Sequence, residues 1–125
     1  MDIRTKRVYE PVDPKDGFRV LVDRLWPRGM TKERVSAELW LKEAAPSTGL
    51  RKSVCHDRSR WDDFKKRYFE ELDAKPQVVV RLLEQAARGP VTLLFAAQDT
   101  EYNQAVVLRE YLTTRTTGAI RAERQ

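Results

Sequence analysis

The segment Val91–Ala97, which reads VTLLFAA, constrains the fold more than any other part of the chain. It is an uninterrupted apolar run of strand length, bounded by Gly89-Pro90 on one side and by Gln98-Asp99 on the other. A strand without polar alternation is buried on both faces, which is typical of a parallel sheet covered by helices. This run therefore predicts a central strand in an α/β fold.

Three further strands are predicted from shorter patterns. Phe18–Arg24 carries apolar residues on both faces, with Leu21 opposite the others, and this favours a second central strand. Ile3–Tyr9 mixes polar and β-branched residues, which favours an edge strand whose basic side chains discourage pairing with other molecules. Glu38–Glu43 permits either a short strand or more helix, and the strand is favoured because Ala44-Ala45-Pro46 follows as a break.

Helical spacing of apolar residues predicts several helices. The clearest helix has an aromatic and aliphatic stripe at intervals of three and four residues. Ser47 is well placed to cap the helix through Val54, and either Asp99 or Thr100 to cap the last helix. The predicted helices are Lys32–Ala37 behind the cap Thr31, a helix from Ser47 through Val54, Arg60–Ala74 with the stripe, Gln77–Arg88 behind Pro76, and Glu101–Leu112.

The chain length of 125 residues fits one domain with one core. We predict a single α/β domain over residues 1–112, with a small, mostly parallel or mixed sheet and helices on both faces. Residues 113–125 show no apolar period and hold three arginines against one glutamate. They are predicted to form a flexible basic C-terminal tail.

The composition excludes several classes of protein. No apolar run approaches the ~20 residues of a membrane span, and the first residues lack the apolar centre of a signal peptide, so we expect a cytoplasmic protein. One cysteine and one histidine cannot form an internal disulfide or the usual zinc cage, so no metal site is predicted. The net charge of +5 favours anionic partners. The sequence identifies neither a cofactor nor an oligomeric state.

The first candidate site is the loop Asp23–Gly29, which reads DRLWPRG. Ligands of open α/β sheets bind beyond the carboxyl ends of the strands, where this loop begins. Arg24 and Arg28 suit a carboxylate or phosphate, Trp26 would form a wall, and Gly29 permits close backbone approach. The alternative is that the acid and the first arginine pair with neighbours and the indole packs into the core.

The second candidate is the segment from Ser47 to His56, which includes Arg51. Cys55, His56 and Asp57 are adjacent, but neighbours on a helix point about 100° apart, and this argues against a catalytic dyad. His56 has the only side chain with an ordinary pKa near neutrality, so it is the leading candidate for acid/base catalysis. A capping or surface role for His56 is the alternative, and Cys55 is predicted to be inert.

The third candidate is the turn after the apolar strand, with Gln98, Asp99, Tyr102 and Asn103 as ligand-binding residues. Backbone N–H groups at the start of the following helix form a favourable site for an anion. The alternative is that Asp99 simply caps that helix.

Five segments of the chain carry a family resemblance: VDRLWPRG, WLKEAAPS, LRKSVCHD, WDDFKKRYFEEL and VTLLFAAQDTEYNQAVVL. From Ile3 to Leu112 the chain resembles the YeaO-like branch of the bacterial domain of unknown function 488 family. The resemblance implies a compact α/β fold and no established substrate. The wider family carries a Cys-His-Arg motif, which looks like a catalytic or metal-binding element, where this chain has Tyr102-Asn103-Gln104. A thiol mechanism therefore does not carry over to this chain.

The predicted function is binding of an anionic small molecule where the three segments meet. Arg24, Arg28 and Arg51 would hold the anion. In an enzymatic version His56 would act as acid/base and Asp23 would be a second catalytic group. The alternative classes are a nucleic-acid-binding module, suggested by the basic tail, and a protein-interaction or regulatory module.

Overall fold

A single sheet of four strands forms the centre of the computed structural model, which describes residues 2–54 and 58–123. Its order is β1-β4-β2-β3, and all three neighbouring pairs are parallel. The strands are β1 Ile3–Arg7, β2 Phe18–Leu21, β3 Leu39–Trp40 and β4 Val91–Phe95. The predicted α/β class, the central positions of β2 and β4 and the edge position of β1 are confirmed.

The two central strands end earlier than predicted, β2 at Leu21 and β4 at Phe95. The amide of Val22 still donates to the carbonyl of Leu94 (3.1 Å). Beyond that point the Asp23 carboxylate, and not a backbone carbonyl, accepts the hydrogen bond of the Ala96 amide (2.8 Å). A side chain thus replaces the backbone ladder, and both strands end there.

Five α-helices lie in the described part of the chain: α1 Lys32–Val35, α2 Thr48–Val54, α3 Trp61–Asp73, α4 Pro76–Arg88 and α5 Gln104–Glu123. The predicted caps at Thr31 and Ser47 are confirmed, because their hydroxyls accept from the amides of Arg34 and Leu50 at 3.2 Å. The predicted start of the last helix is wrong: Asn103 caps it, with its side-chain oxygen accepting from Val106 (3.0 Å). α5 continues past Leu112, and the flexibility of residues 113–125 stays a prediction.

The sheet is covered on both faces. Alternate residues of each central strand enter different cores, so Val20 and Leu93 belong to the larger core while Leu21 and Leu94 belong to the smaller one. The larger core also holds residues of α2, α3, α4 and α5, and the smaller one is closed by Val35 of α1. The predicted arrangement of helices on both faces is confirmed.

The face covered by α1 also holds a buried ion cluster around Asp16, which is 5% exposed. Its carboxylate accepts from Lys6 (3.1 Å) and forms an ion pair with Arg19, which is 3% exposed. Burial alone would raise the pKa of Asp16, but the Asp13 amide, Lys6 and Arg19 together hold that pKa below its ordinary value. Asp16 is therefore ionised in the folded protein at neutral pH.

Candidate functional site

A cavity of about 790 Å³ opens beyond the carboxyl ends of β2 and β4. The structure brings together residues from all three predicted segments at its walls. The predicted residues that line it are Asp23, Arg24, Trp26, Arg28, Arg51, Gln98, Asp99, Tyr102 and Asn103. His56 and Cys55 lie outside the described residues.

Asp23 joins four parts of the fold at the base of the cavity. One carboxylate oxygen accepts from the Ala96 amide (2.8 Å), and the other accepts from the side-chain amide of Gln104. Its backbone carbonyl accepts from Trp40 Nε1 (2.8 Å). Burial raises the pKa of Asp23, while the hydrogen bonds from Ala96 and Gln104 and the charge of Arg51 oppose the rise. Asp23 therefore fixes the ends of β2, β3 and β4 and the start of α5, and its catalytic role stays a prediction.

Arg24 is half-buried beside Asp23, and its guanidinium is poorly satisfied. Its Nη2 donates only long hydrogen bonds, to the carbonyls of Ala45 (3.5 Å) and Pro46 (3.4 Å). Its Nε is buried and has no hydrogen-bond partner in the described part of the chain. The acid and the first arginine of the loop therefore do not pair with each other, and the long bonds leave Nη2 of Arg24 only weakly engaged.

Arg28 and Arg51 are exposed and reach the same cavity from two different elements, Arg28 from the loop after β2 and Arg51 from α2. Within residues 2–54 and 58–123, neither guanidinium makes a hydrogen bond or an ion pair at contact distance. The backbone of Arg28 is held by the hydroxyl of Tyr9, which donates to the Arg28 carbonyl (3.2 Å). Arg51 lies close enough to Asp23 to lower the pKa of that carboxyl.

Ser47 and Gly29 are not among the residues that line the cavity. The Ser47 amide and hydroxyl both donate to the Glu71 carboxylate, at 2.8 and 2.6 Å, and so anchor the start of the helix that carries Arg51. Gly29 has φ of +76°, and no atom lies within 4 Å of where a Cβ would stand. The glycine is thus explained by the left-handed backbone and not by close approach of a neighbour.

The turn before α5 uses several of its own backbone donors. The Asp99 carboxylate accepts from the amides of Glu101 (2.9 Å) and Tyr102 (3.0 Å), and the Asn103 side chain donates to the Asp99 carbonyl (2.8 Å). Asp99 therefore makes an isolated turn instead of capping the helix. These two amides are already engaged within the turn, so they are not available to donate to an anion as the sequence predicted.

Aromatic rings form much of the remaining wall. Trp26 is held by a hydrogen bond from Nε1 to the Met30 carbonyl (2.7 Å) and by edge contact with Trp40, at 5.3 Å between ring centroids. Across the cavity, Trp61 stacks on Phe64 (5.5 Å) and meets the Tyr102 ring edge-on (5.0 Å). Trp26 lines the cavity and is 36% exposed, so it is not the core residue of the alternative interpretation.

The sequence did not predict Tyr9, Trp61, Phe64 and Gln104 as cavity residues. Trp61 and Phe64 belong to the apolar stripe of α3, and that stripe is identical in pattern whether it meets a core or a cavity. Both lie before Tyr68 on α3, where Phe64 is itself buried in the core and Trp61 is partly exposed, so the stripe alone gave no signal of a cavity.

Two classes of feature are absent from the described residues. No group of three or more acidic, histidine or cysteine side chains there could hold a metal ion. Among the helices of residues 2–54 and 58–123, none combines the length and apolarity needed to cross a membrane.

Comparison with known proteins places the chain among uncharacterised bacterial sequences. A family model described as the inactive DUF488-N3 subclade matches residues 2–124. The uncharacterized protein YeaO of Escherichia coli K12 is 43% identical over 112 residues, covering 90% of this chain and 97% of the relative. The uncharacterized protein Rv3073c of Mycobacterium tuberculosis H37Rv is 40% identical over 113 residues, covering 90% and 95%. No solved structure matches the chain significantly.

Proposed function

The chain belongs to the inactive DUF488-N3 subclade, and we propose that it is a cytoplasmic binding protein that takes up a small anion without transforming it. The anion is held in the cavity at the carboxyl ends of β2 and β4. The subclade description supports the absence of catalysis. So does the stretch Tyr102-Asn103-Gln104, because it offers no thiol where the wider family carries Cys-His-Arg.

The observation that carries the proposal is the meeting of Arg24, Arg28 and Arg51 at one cavity. The two carboxylates of that cavity, Asp23 and Asp99, are already occupied by amide donors. Among the described residues the charged lining is three arginines against two aspartates, a net charge of +1. A cavity of this kind attracts anions and retains them.

The state of Arg24 gives the binding a specific physical source. Its Nη2 makes only long hydrogen bonds, at 3.4 and 3.5 Å, and a ligand oxygen at normal distance would give that nitrogen a stronger, charge-assisted bond. A guanidinium also presents its donors in a planar fork, which fits the two oxygens of a phosphate or carboxylate. The proposed ligand therefore carries such a group.

The test is isothermal titration of the protein with inorganic phosphate and with acetate, in buffers of low ionic strength. We expect saturable binding of at least one anion. Arg28→Ala and Arg51→Ala should each weaken it about ten-fold or more, since a charge-assisted hydrogen bond contributes about 1.5–3 kcal/mol. Arg24→Ala should do the same.

The matched control is Arg81→Ala, which removes an exposed arginine on α4 that does not line the cavity. Its affinity should equal that of the wild type. Circular dichroism and urea unfolding check that each variant is folded. Unchanged affinity in all three cavity variants, or equal loss in the control, would overturn the proposal.

A further inference from the structure

We infer that the anion taken by this cavity carries a planar heteroaromatic ring, as a nucleoside monophosphate does. This inference rests on the proposed function, because it places the anionic group on the arginines. It adds a second recognition element, a stacking surface made by Trp26 and Tyr102. The two elements lie in one cavity, on the loops that follow β2 and β4.

The first argument is where the exposed apolar side chains lie. Six large apolar side chains are exposed in the described part of the chain: Tyr9, Val12, Leu25, Trp26, Val80 and Tyr102. Four of these six line the cavity, namely Tyr9, Leu25, Trp26 and Tyr102. Leu25 is the most exposed, at 65%. Exposed apolar groups that gather at one concave surface mark a ligand or partner site, whereas scattered ones need no explanation.

The second argument is that the rings are held in place before a ligand arrives. The indole N–H of Trp26 is fixed on Met30 and its ring rests against Trp40. Tyr102 is braced edge-on by Trp61, which is itself stacked on Phe64. Stacking on a fixed ring costs little side-chain entropy, so these rings are prepared for a flat ligand.

The third argument compares ligand classes with the lining. An uncharged apolar ligand would bury the guanidiniums of Arg24, Arg28 and Arg51 without a partner, which is unfavourable. A bare inorganic anion would leave the aromatic surfaces and most of the 790 Å³ unfilled. A ring with an anionic group uses both surfaces at once, and the volume falls in the usual range of small-ligand pockets, ~300–1,000 Å³.

The test compares four probes by isothermal titration: adenosine 5′-monophosphate, ribose 5-phosphate, adenosine and inorganic phosphate. Adenosine 5′-monophosphate should bind at least ten-fold more tightly than ribose 5-phosphate, because stacking of one base on aromatic side chains contributes about 1–3 kcal/mol. Trp26→Leu and Tyr102→Leu preserve apolar bulk and remove the ring. They should weaken adenosine 5′-monophosphate by about five-fold or more and leave ribose 5-phosphate unchanged.

The matched control is Val80→Ala, which alters an exposed apolar residue on α4 away from the cavity. It should leave the affinity for every probe unchanged. Arg28→Ala should weaken adenosine 5′-monophosphate and ribose 5-phosphate by the same factor, since both carry the phosphate. The ring and the anion are thus measured separately.

The outcomes distinguish this inference from the function on which it rests. Equal affinity for adenosine 5′-monophosphate and ribose 5-phosphate, both weakened by Arg28→Ala, would overturn the ring while supporting anion binding. Failure of all four probes to bind would overturn both. A 5′-phosphorylated trinucleotide that competes with adenosine 5′-monophosphate would assign the nucleotide to the end of a nucleic-acid strand, and absence of competition would assign it to the free pool.

Discussion

Asp16→Asn should destabilise the protein by about 3 kcal/mol, because it removes the carboxylate that the buried Arg19 and the partly buried Lys6 share. Loss of one partner of a buried ion pair costs ~3–5 kcal/mol. Two features place this case at the lower end of that range. Arg19 keeps the carbonyls of Val35 (2.8 Å) and Ser36 (3.1 Å) as acceptors, and the Lys6 side chain is 17% exposed and can regain water.

Urea unfolding at pH 7, followed by circular dichroism, measures this loss. With a urea dependence of about 2 kcal/mol per molar, the midpoint should fall by roughly 1.5 M. Asp63→Asn is the matched control, since Asp63 pairs with Arg67 at 3.1 Å on α3 and both side chains are more than half exposed. An exposed pair of this spacing contributes only about 0.3–0.5 kcal/mol.

The pH dependence gives a second, independent measurement. The folded-state pKa of Asp16 is below its ordinary value of 3.8, so its stabilisation is complete above that value and is lost as the pH falls through the folded pKa. The difference between the wild type and Asp16→Asn should therefore narrow below about pH 4. A loss under about 1 kcal/mol at pH 7, or a difference that stays constant down to pH 2.5, would refute the assignment of a buried, ionised Asp16.

Three other substitutions test neighbouring parts of the fold. Gly17→Ala should lower the free energy of unfolding by more than about 2 kcal/mol in urea, because φ is +66° and the new Cβ would stand 2.2 Å from the Pro90 carbonyl oxygen. The control is Gly49→Ala, which has open space around it and should be neutral or stabilising. Tyr68→Phe should cost about 1–2 kcal/mol, because the buried hydroxyl donates to the Ala44 carbonyl, and equal stability of the variant would contradict that contact. Burial raises the pKa of Asp23, so the stability that it contributes is full below pH 3.8 and declines as the pH rises through the folded pKa. Asp23→Asn should therefore flatten the stability profile above pH 3.8, and an unchanged profile would contradict the burial of its charge.

The elements that the sequence predicted well are those whose signal is local. The apolar run of β4 and the stripe of α3 each specify burial within a few residues, and the structure buries both. Strand order and direction depend on distant partners. The sequence therefore left a parallel and a mixed sheet open, and the three parallel pairings, of β4 with β1 and with β2 and of β2 with β3, decide between them.

The candidate site shows the same division. The loop after β2 was predicted from its own residues, and Arg24, Trp26 and Arg28 do line the cavity. Ser47 was predicted as a ligand residue, yet its amide and hydroxyl are taken by Glu71, which lies 24 residues later. Asp99 and Asn103 both favour capping positions, and the local pattern could not tell which one begins α5.

The strand order has a consequence for synthesis of the protein on the ribosome. β1 is made first, but in the native sheet it pairs only with β4, and β4 also separates it from β2. A nascent chain that has not reached Val91 therefore holds two disconnected parts of the sheet. Asp99 and Tyr102, which form one wall of the cavity, follow β4 in the chain. So do Ala96 and Gln104, whose amides donate to Asp23. The cavity is therefore complete only once the chain has extended past Gln104, and a shorter nascent chain lacks two of its walls.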